Sequence, residues 1–300
     1  MTGVAPSVLL DASVLASIGD LELLARTVVD GFLHGRHRSL RTGQSLDFAE
    51  HRAYQPGDDL RRIDWRLYGR TDRFYLKTYE AETNADLRVA IDVSRSMDFG
   101  SGPMTKFAWA RALLASLAWL ARQQGDRVGF LPLGGDLSDA VPPSSRHLSL
   151  VLQSLSRTQP TGTRSPAAAI EELAHVGGRA GMLAIASDCY DEPLAIQRAI
   201  GMLRARGHDV MLFHVVDAAE RDFPYEASET FADLETEARL PLEPAEVREQ
   251  YRRAFAAHRE EVERLVAADG ASYLAVYSDQ PLDSALRAWL EARHRPEAQR

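Results

Sequence analysis

The sequence predicts an α/β fold: a doubly wound, mostly parallel sheet, preceded by an N-terminal helix and a β-rich extension. Three observations predict it. From residue 87 onward, short apolar runs alternate with longer amphipathic segments, which is typical of alternating strands and helices. Two of these runs end in an aspartate, Asp92 and Asp188. A chain of 300 residues with 45% hydrophobic side chains is also long enough to bury such a core.

The first 84 residues differ in character from the rest of the chain. Apolar residues recur at helical spacing between Leu21 and Phe32, so a helix is predicted within the first 35 residues. Residues 36–84 are predicted to be extended and β-rich, with a tight turn at 56–57 and a strand over 74–79. We therefore expect an N-terminal extension over 1–84, a sheet domain over 85–292 and a polar tail over 293–300.

The sheet domain is predicted from residues that begin and end helices, as well as from its apolar pattern. Ser165 and Pro166 mark the start of one helix, and Gly125 marks the end of another. The predicted strands cover 87–91, 127–133, 182–187, 209–216 and 272–276, with 136–141 as an extension of one edge. The predicted helices cover 106–124, 147–157, 166–175, 194–206, 244–268 and 282–292.

Composition excludes several classes of protein. A net charge of −8 argues against a general nucleic-acid binder. A single cysteine, Cys189, cannot form an internal disulfide or a thiolate zinc cluster, and it fits a reducing compartment. The most apolar run, 112–121, is shorter than the roughly 20 residues that span a bilayer. Since no signal sequence is recognisable either, we expect a cytoplasmic protein without a membrane span.

Polar oxygen-bearing side chains follow the first predicted strand of the sheet. Asp92, Ser94 and Ser96 offer only hard oxygen donors, which suit Mg²⁺ or Mn²⁺ better than zinc. The same pattern could form a simple capped loop, because Ser and Asp satisfy free backbone donors before a helix. Asp188 ends a second strand, and ligands bind beyond the carboxyl ends of parallel strands. This coincidence favours the metal interpretation.

With a threonine before a later helix, these residues resemble the metal-ion-dependent adhesion site of a von Willebrand factor A domain. The resemblance implies an ion whose remaining position is filled by an acidic side chain of a ligand protein. Thr163 is the expected threonine, although Thr161 is close enough to leave the choice open. The implied metal ligands are therefore Asp92, Ser94, Ser96, Thr163 and Asp188.

The segments 43–48 (GQSLDF) and 52–65 (RAYQPGDDLRRIDW) resemble the bacterial domain-of-unknown-function fifty-eight family. Its members carry a von Willebrand A-like domain and are typically encoded beside MoxR-type AAA+ ATPases, so the resemblance implies such a partner. Many members have transmembrane helices before this block, and no such segment is recognisable in this sequence. The block could brace the sheet through ion pairs or dock a partner. The candidate docking residues are Arg52, Tyr54, Asp58, Arg61, Asp64 and Trp65.

The expected function is that of a non-enzymatic, Mg²⁺-dependent protein-interaction module, an adaptor or partner of a MoxR-type ATPase in protein maturation or remodelling. The first alternative is a metal-dependent hydrolase that uses Asp92 and Asp188. Against it, Ser94 stands where a phosphoaspartate enzyme needs a second acid, and the two lysines, Lys77 and Lys106, lie away from the motif in sequence. Hydrolase and nucleotide-binding motifs are also missing.

The second alternative is nucleic-acid binding through residues 36–77, where arginines and aromatic residues alternate. Such a mixture suits phosphate contacts and base stacking. However, six acidic residues are interspersed among the ten basic ones, so the segment carries a net charge of only +4. The remainder of the chain carries −12. We therefore expect a protein partner and not a nucleic acid.

Overall fold

The structure is a computed structural model, and it describes residues 19–39, 51–53, 68–70, 74–77, 85–175, 178–226, 229–234 and 239–293. The chain forms two compact units, one of residues 33–84 and one that contains the remainder. Helix α1 spans Leu21–Ser39, as the apolar spacing predicts. In the smaller unit, strand β1 (His51–Ala53) pairs antiparallel with β2 (Tyr75–Lys77).

Most of the predicted docking block lies outside the described residues. The backbone of Arg52 belongs to β1, but its side chain is not described. Tyr54, Asp58, Arg61, Asp64 and Trp65 lie outside the described residues altogether. Their role in partner binding stays a prediction.

The larger unit is built on a six-stranded sheet. Its strands are β3 (Asp86–Asp92), β4 (Arg127–Leu133), β5 (Val141–Ser144), β6 (Met182–Ser187), β7 (Asp209–Val216) and β10 (Ser272–Tyr277). A separate hairpin consists of β8 (Glu229–Ala232) and β9 (Arg239–Leu242). The strand order of the large sheet is β10-β7-β6-β3-β4-β5, and every pair is parallel except β4 with β5. The predicted mostly parallel sheet is confirmed.

The order of the strands creates a topological switch point between β3 and β6. From β3 the chain proceeds to β4 on one side, and it later returns to place β6 on the other side. Ile91 pairs with Ala186, so the next residues, Asp92 and Ser187, emerge side by side at the carboxyl ends of the two strands. Ligands of open α/β sheets bind in the crevice at such a point.

Helices cover both faces of the sheet. They are α2 (Lys106–Gln123), α3 (Leu148–Arg157), α4 (Pro166–His175), α5 (Pro193–Ala205), α6 (Ala218–Asp222), α7 (Pro244–Ala268) and α8 (Asp283–Arg293). On one face, α4, α5 and α7 share a buried apolar cluster with the strands, to which Ala90 and Ile185 belong. Val89 and Ile91 alternate with Ala90 and are just as buried, because α2 contacts β3 on the other face. Both layers hold the loops after β3 and β6 in place.

One predicted strand is wrong in its position. Residues Leu137–Asp139 form a short 3₁₀ helix capped by Asp136, and the edge strand begins only at Val141. That strand includes two prolines, Pro142 and Pro143. An edge strand needs hydrogen bonds on one side only, so it tolerates residues that lack a backbone N–H.

No helix among the described residues is both long enough and apolar enough to cross a membrane.

Candidate metal centre

Asp92 is the last residue of β3 and is buried, with 1% of its surface exposed. Its Oδ1 accepts a hydrogen bond from the backbone N–H of Ser94 at 2.9 Å, and its Oδ2 accepts one from Ser187 Oγ at 2.6 Å. Burial, together with the nearby charge of Asp188, raises the pKa of Asp92 well above its usual range. No lysine, arginine or histidine in the described part of the chain forms an ion pair with this carboxylate. Asp92 is therefore a buried acid without a cation.

The loop after Asp92 places two hydroxyls beside the acids. Ser94 Oγ lies 3.1 Å from Ser96 Oγ, and the Ser96 side chain also hydrogen-bonds to Asp188. Ser94 precedes the short 3₁₀ helix Arg95–Asp98, but its side chain does not cap that helix. The simple capping interpretation therefore does not account for the Ser94 hydroxyl.

The threonine loop is tied directly to the Asp92 loop. The backbone N–H of Gly162 donates to the carbonyl of Val93 at 2.7 Å, and Gly162 forms an isolated parallel bridge with Ser94. Thr161 and Thr163 flank this glycine, and both are exposed. Among the described residues, neither threonine hydrogen-bonds to any of the other four predicted ligands. The structure therefore brings the third loop to the site and leaves both threonines as candidates.

Asp188 follows β6 and is also buried. Its Oδ1 accepts a hydrogen bond from the N–H of Tyr190 at 3.3 Å, and its Oδ2 lies 2.9 Å from Lys106 Nζ. Burial alone would raise the pKa of Asp188, but the Lys106 ammonium and hydrogen bonds hold this pKa below its usual range. The next residue, Cys189, has a left-handed φ of 53°, which turns the chain away from the strand. Burial and both carboxylates raise the pKa of the Cys189 thiol, so the thiol stays protonated.

Lys106 and Glu220 belong to the site, although the sequence motifs did not identify them. Lys106 is the first residue of α2 and is 2% exposed, with Nζ 2.5 Å from Glu220 Oε1. Glu220 Oε2 in turn accepts the N–H of Asp217 and completes the capping box of α6. The expectation that neither lysine lies near the motif is wrong for Lys106, because the helix that follows β3 begins at the same edge of the sheet. A lysine at that place, in a chain with only two lysines, was the available signal.

The charges of this buried cluster do not balance. Asp92, Asp188 and Glu220 are acids, and Lys106 is the one base that pairs with them in the described residues. Fully ionised, the cluster would carry an excess of two negative charges, and burial accordingly raises the pKa of Asp92 and of Glu220. Its oxygen atoms are those of carboxylates and hydroxyls, which a hard divalent cation such as Mg²⁺ prefers. The donor set and the missing charge both fit such an ion.

Solved structures similar to this chain include two Bacteroides proteins and a VWA domain. An aerotolerance-related membrane protein from Bacteroides fragilis is 19% identical with a TM-score of 0.49, and the match covers 69% of this chain and 98% of that one. BatB from Bacteroides thetaiotaomicron is 18% identical with a TM-score of 0.48, covering 70% and 97%. The VWA domain of SpRpn10 is 10% identical with a TM-score of 0.42, covering 69% and 95%.

Sequence comparison gives a closer relationship. Uncharacterized proteins of Mycobacterium tuberculosis and Mycobacterium bovis are each 31% identical over 277 residues, which cover 90% of this chain and 86% of the relative. The family model described as "Protein of unknown function DUF58" matches residues 50–261. The chain therefore belongs to the DUF58 family.

Proposed function

We propose that this protein is a non-enzymatic, Mg²⁺-dependent protein-interaction module. Asp92, Ser94, Ser96, Asp188 and one of the two threonines would hold the ion, and a carboxylate of the partner would complete its coordination. The observation that carries the proposal is the pair of buried acids, Asp92 and Asp188, beside the hydroxyls of Ser94 and Ser96 at the switch point, with Lys106 as the one cation paired to them in the described residues. Mn²⁺ prefers the same ligands and would substitute.

The surface beside the loops supports a protein as the ligand. Tyr190, two residues after Asp188, is 69% exposed, and Leu194 at the start of α5 is 61% exposed. Large apolar side chains that face solvent near a charged site are common anchors of interfaces. When bound, the ion would supply a Lewis-acid contact for an acidic side chain that water alone would otherwise solvate.

The partner we propose is a MoxR-type AAA+ ATPase, with this protein as its adaptor in protein maturation or remodelling. Support comes from membership of the family whose members are typically encoded beside such ATPases. A client protein with an accessible acidic residue would fit the same metal site.

One observation favours the hydrolase alternative, and it is the contact between Lys106 and Asp188. The surroundings of Asp92 oppose it. A nucleophilic carboxylate needs an accessible oxygen, whereas both oxygens of Asp92 accept hydrogen bonds and the residue is 1% exposed. Ser94, and not an acid, occupies the position two residues later. Binding without chemistry is therefore the better interpretation.

The metal is tested by calorimetric titration of Mg²⁺ into the wild-type protein and an Asp92→Asn variant. The substitution keeps the shape of the side chain and removes its charge, so we expect Mg²⁺ binding to be lost with only a modest change in stability. Asp136→Asn removes an acid that caps an exposed turn and serves as the matched control. Unchanged Mg²⁺ affinity in Asp92→Asn would refute the ligand assignment.

The partner is tested by pull-down with the MoxR-type ATPase encoded nearest to this protein's gene. We expect the complex to weaken both in EDTA and with Asp92→Asn. A complex that is insensitive to both changes would move the interface away from the metal loops, towards the 52–65 block.

A further inference from the structure

A cavity of about 460 Å³ opens beside the metal loops and is not explained by metal binding. It lies between the loop after β6, the short helix α6 and the long helix α7. Its floor is formed by buried polar groups and its walls by aromatic rings of α7. The lining combines four acidic residues with the ammonium of Lys106 and the rings of Tyr190, Tyr251 and Phe255.

The floor of the cavity is polar but carries little positive charge. Lys106 is already shared between Asp188 and Glu220, so its ammonium is not available to an anionic ligand. His214 is 1% exposed, with Nδ1 2.8 Å from Tyr273 Oη. Burial lowers the pKa of His214 to about 3, so the imidazole is neutral. The floor therefore repels anions more than it attracts them.

The mouth of the cavity adds further negative charge. Asp191 and Glu192 lie on the loop that leads into α5, and Glu192 is exposed. With Asp188 and Glu220, four carboxylates line the cavity, against the single ammonium of Lys106. The lining thus favours a ligand of positive charge.

The walls favour a flat, weakly hydrated cation. Tyr190, Tyr251 and Phe255 line the cavity, and the rings of Tyr251 and Phe255 are stacked at 5.9 Å. Aromatic faces attract cations, and a guanidinium stacks on them better than an ammonium does. The volume lies in the range of sites that enclose small ligands or a single long side chain.

We propose that this cavity is a binding site for an organic cation of the guanidinium class. The negative lining, the aromatic walls and the size carry the proposal, and none of them requires a metal ion. We assign the guanidinium to an arginine side chain of a protein partner; only this source rests on the proposed function. A free guanidinium compound shares the same chemistry, and the test separates the two sources.

The probe is N-acetyl-arginine amide, titrated into the full chain by ligand-detected NMR. N-acetyl-citrulline amide has nearly the same shape without the charge and serves as the matched ligand. We expect the arginine probe to bind with a dissociation constant of about millimolar, as for a small fragment, and the citrulline probe at least tenfold more weakly. Equal binding of the two, or no binding of either, would overturn the proposal.

Free arginine distinguishes the source of the cation. Its carboxylate would lie near the acidic mouth, so a site built for a side chain binds free arginine more weakly than the capped probe. Equal or tighter binding of free arginine would support the site and assign it to a small molecule.

Two substitutions at the mouth test the location. Ala254→Trp places a large ring in the opening and should abolish binding, whereas Ala257→Trp on the same helix, outside the lining, should not. Glu192→Gln removes one exposed carboxylate and should weaken binding about two- to fivefold. Binding that survives Ala254→Trp would place the cation elsewhere.

One variant distinguishes failure of the metal proposal from failure of the guanidinium proposal. Asp188 belongs to both the proposed metal site and the cavity lining, whereas Asp92 does not line the cavity, so without Mg²⁺ the Asp92→Asn substitution should leave binding of the arginine probe intact. Loss of probe binding in Asp92→Asn, with the fold preserved, would overturn the claim that the cavity binds the cation without the metal site.

Discussion

Lys106 is the residue whose removal best tests the electrostatics of the metal centre. Its ammonium lies 2.9 Å from Asp188 Oδ2 and 2.5 Å from Glu220 Oε1, and it already neutralises part of the negative charge that a metal ion would neutralise. Lys106→Met keeps most of the length and apolar volume of the side chain and removes the charge. Under the proposed function, the variant should be less stable without metal and should bind Mg²⁺ more tightly than the wild type.

The expected changes in stability and in Mg²⁺ affinity follow from the burial of the ion pairs. Both side chains of the Lys106–Asp188 pair are almost inaccessible, at 2% and 3% exposure. Removing one partner of a buried pair costs about 3–5 kcal/mol, because it leaves an uncompensated charge. A divalent ion beside Asp188 would restore a cation there. Recovery of about a third of the cost, roughly 1.4 kcal/mol, corresponds to a tenfold tighter dissociation constant.

The assay is calorimetric titration of Mg²⁺, together with the shift in melting temperature on adding Mg²⁺. Arg127→Met is the matched control, because it breaks an ion pair with Asp86 at the opposite end of β3. It should lower stability without changing Mg²⁺ affinity. Should Lys106→Met fail to fold, Glu220→Gln gives the reverse test, since it removes a negative charge and should weaken Mg²⁺ binding.

The result that would refute the reasoning is a Lys106→Met variant that folds and binds Mg²⁺ no more tightly than the wild type. An increase in affinity on Glu220→Gln would contradict it equally. Either outcome would mean that the ion does not interact electrostatically with Asp188, and the metal would have to be placed elsewhere.

Three further predictions concern stability and are measured by denaturant unfolding. Burial holds the pKa of His214 at about 3, so protons bind preferentially to the unfolded chain. The free energy of unfolding should therefore fall by about 2 kcal/mol from pH 7 to pH 5 through this group. His214→Gln should lose this pH dependence, and His175→Gln at the exposed end of α4 should keep it. Ser187→Ala should cost about 1–3 kcal/mol, because it removes a 2.6 Å hydrogen bond to a buried carboxylate; a smaller loss would mean that water replaces the hydroxyl. Gly129→Ala should cost about 1–3 kcal/mol, because its Cβ would lie 2.7 Å from a backbone oxygen of β5, whereas Gly102→Ala meets nothing within 4 Å and should be neutral.

The fold was predictable where the sequence pattern reports burial directly. β3 and β6 are apolar runs because both faces of a central parallel strand are covered, and their bounds agree with the prediction to within a residue. The end of α2 was marked by Gly125, whose φ of +90° is costly for other residues. Edge elements were predicted less well. β5 carries two prolines, and β8 and β9 are four residues each, too short to give a periodic signal.

The loops of the candidate metal centre were predictable, but the charged residues around them were not. Asp92 and Asp188 are visible from sequence because each follows a buried strand, and parallel strands end at one edge. Lys106 and Glu220 are not, since they come from two helices whose starting points depend on how α2 and α6 pack. A helix face rich in apolar residues reveals which side is buried, but it does not reveal that its first residue turns inward towards an acid.

The buried lysine also explains how such a site can fold before any ion arrives. Two carboxylates buried side by side would ordinarily resist ionisation, and one of them would remain protonated. Lys106 stabilises the ionised form of Asp188, whereas burial raises the pKa of Asp92. Under the proposed function, the chain supplies the cation for Asp188, and an ion from solution would supply the cation for Asp92. This division predicts a centre that is assembled without metal, holds Mg²⁺ weakly by itself, and binds it firmly only when a partner's carboxylate adds the remaining negative ligand.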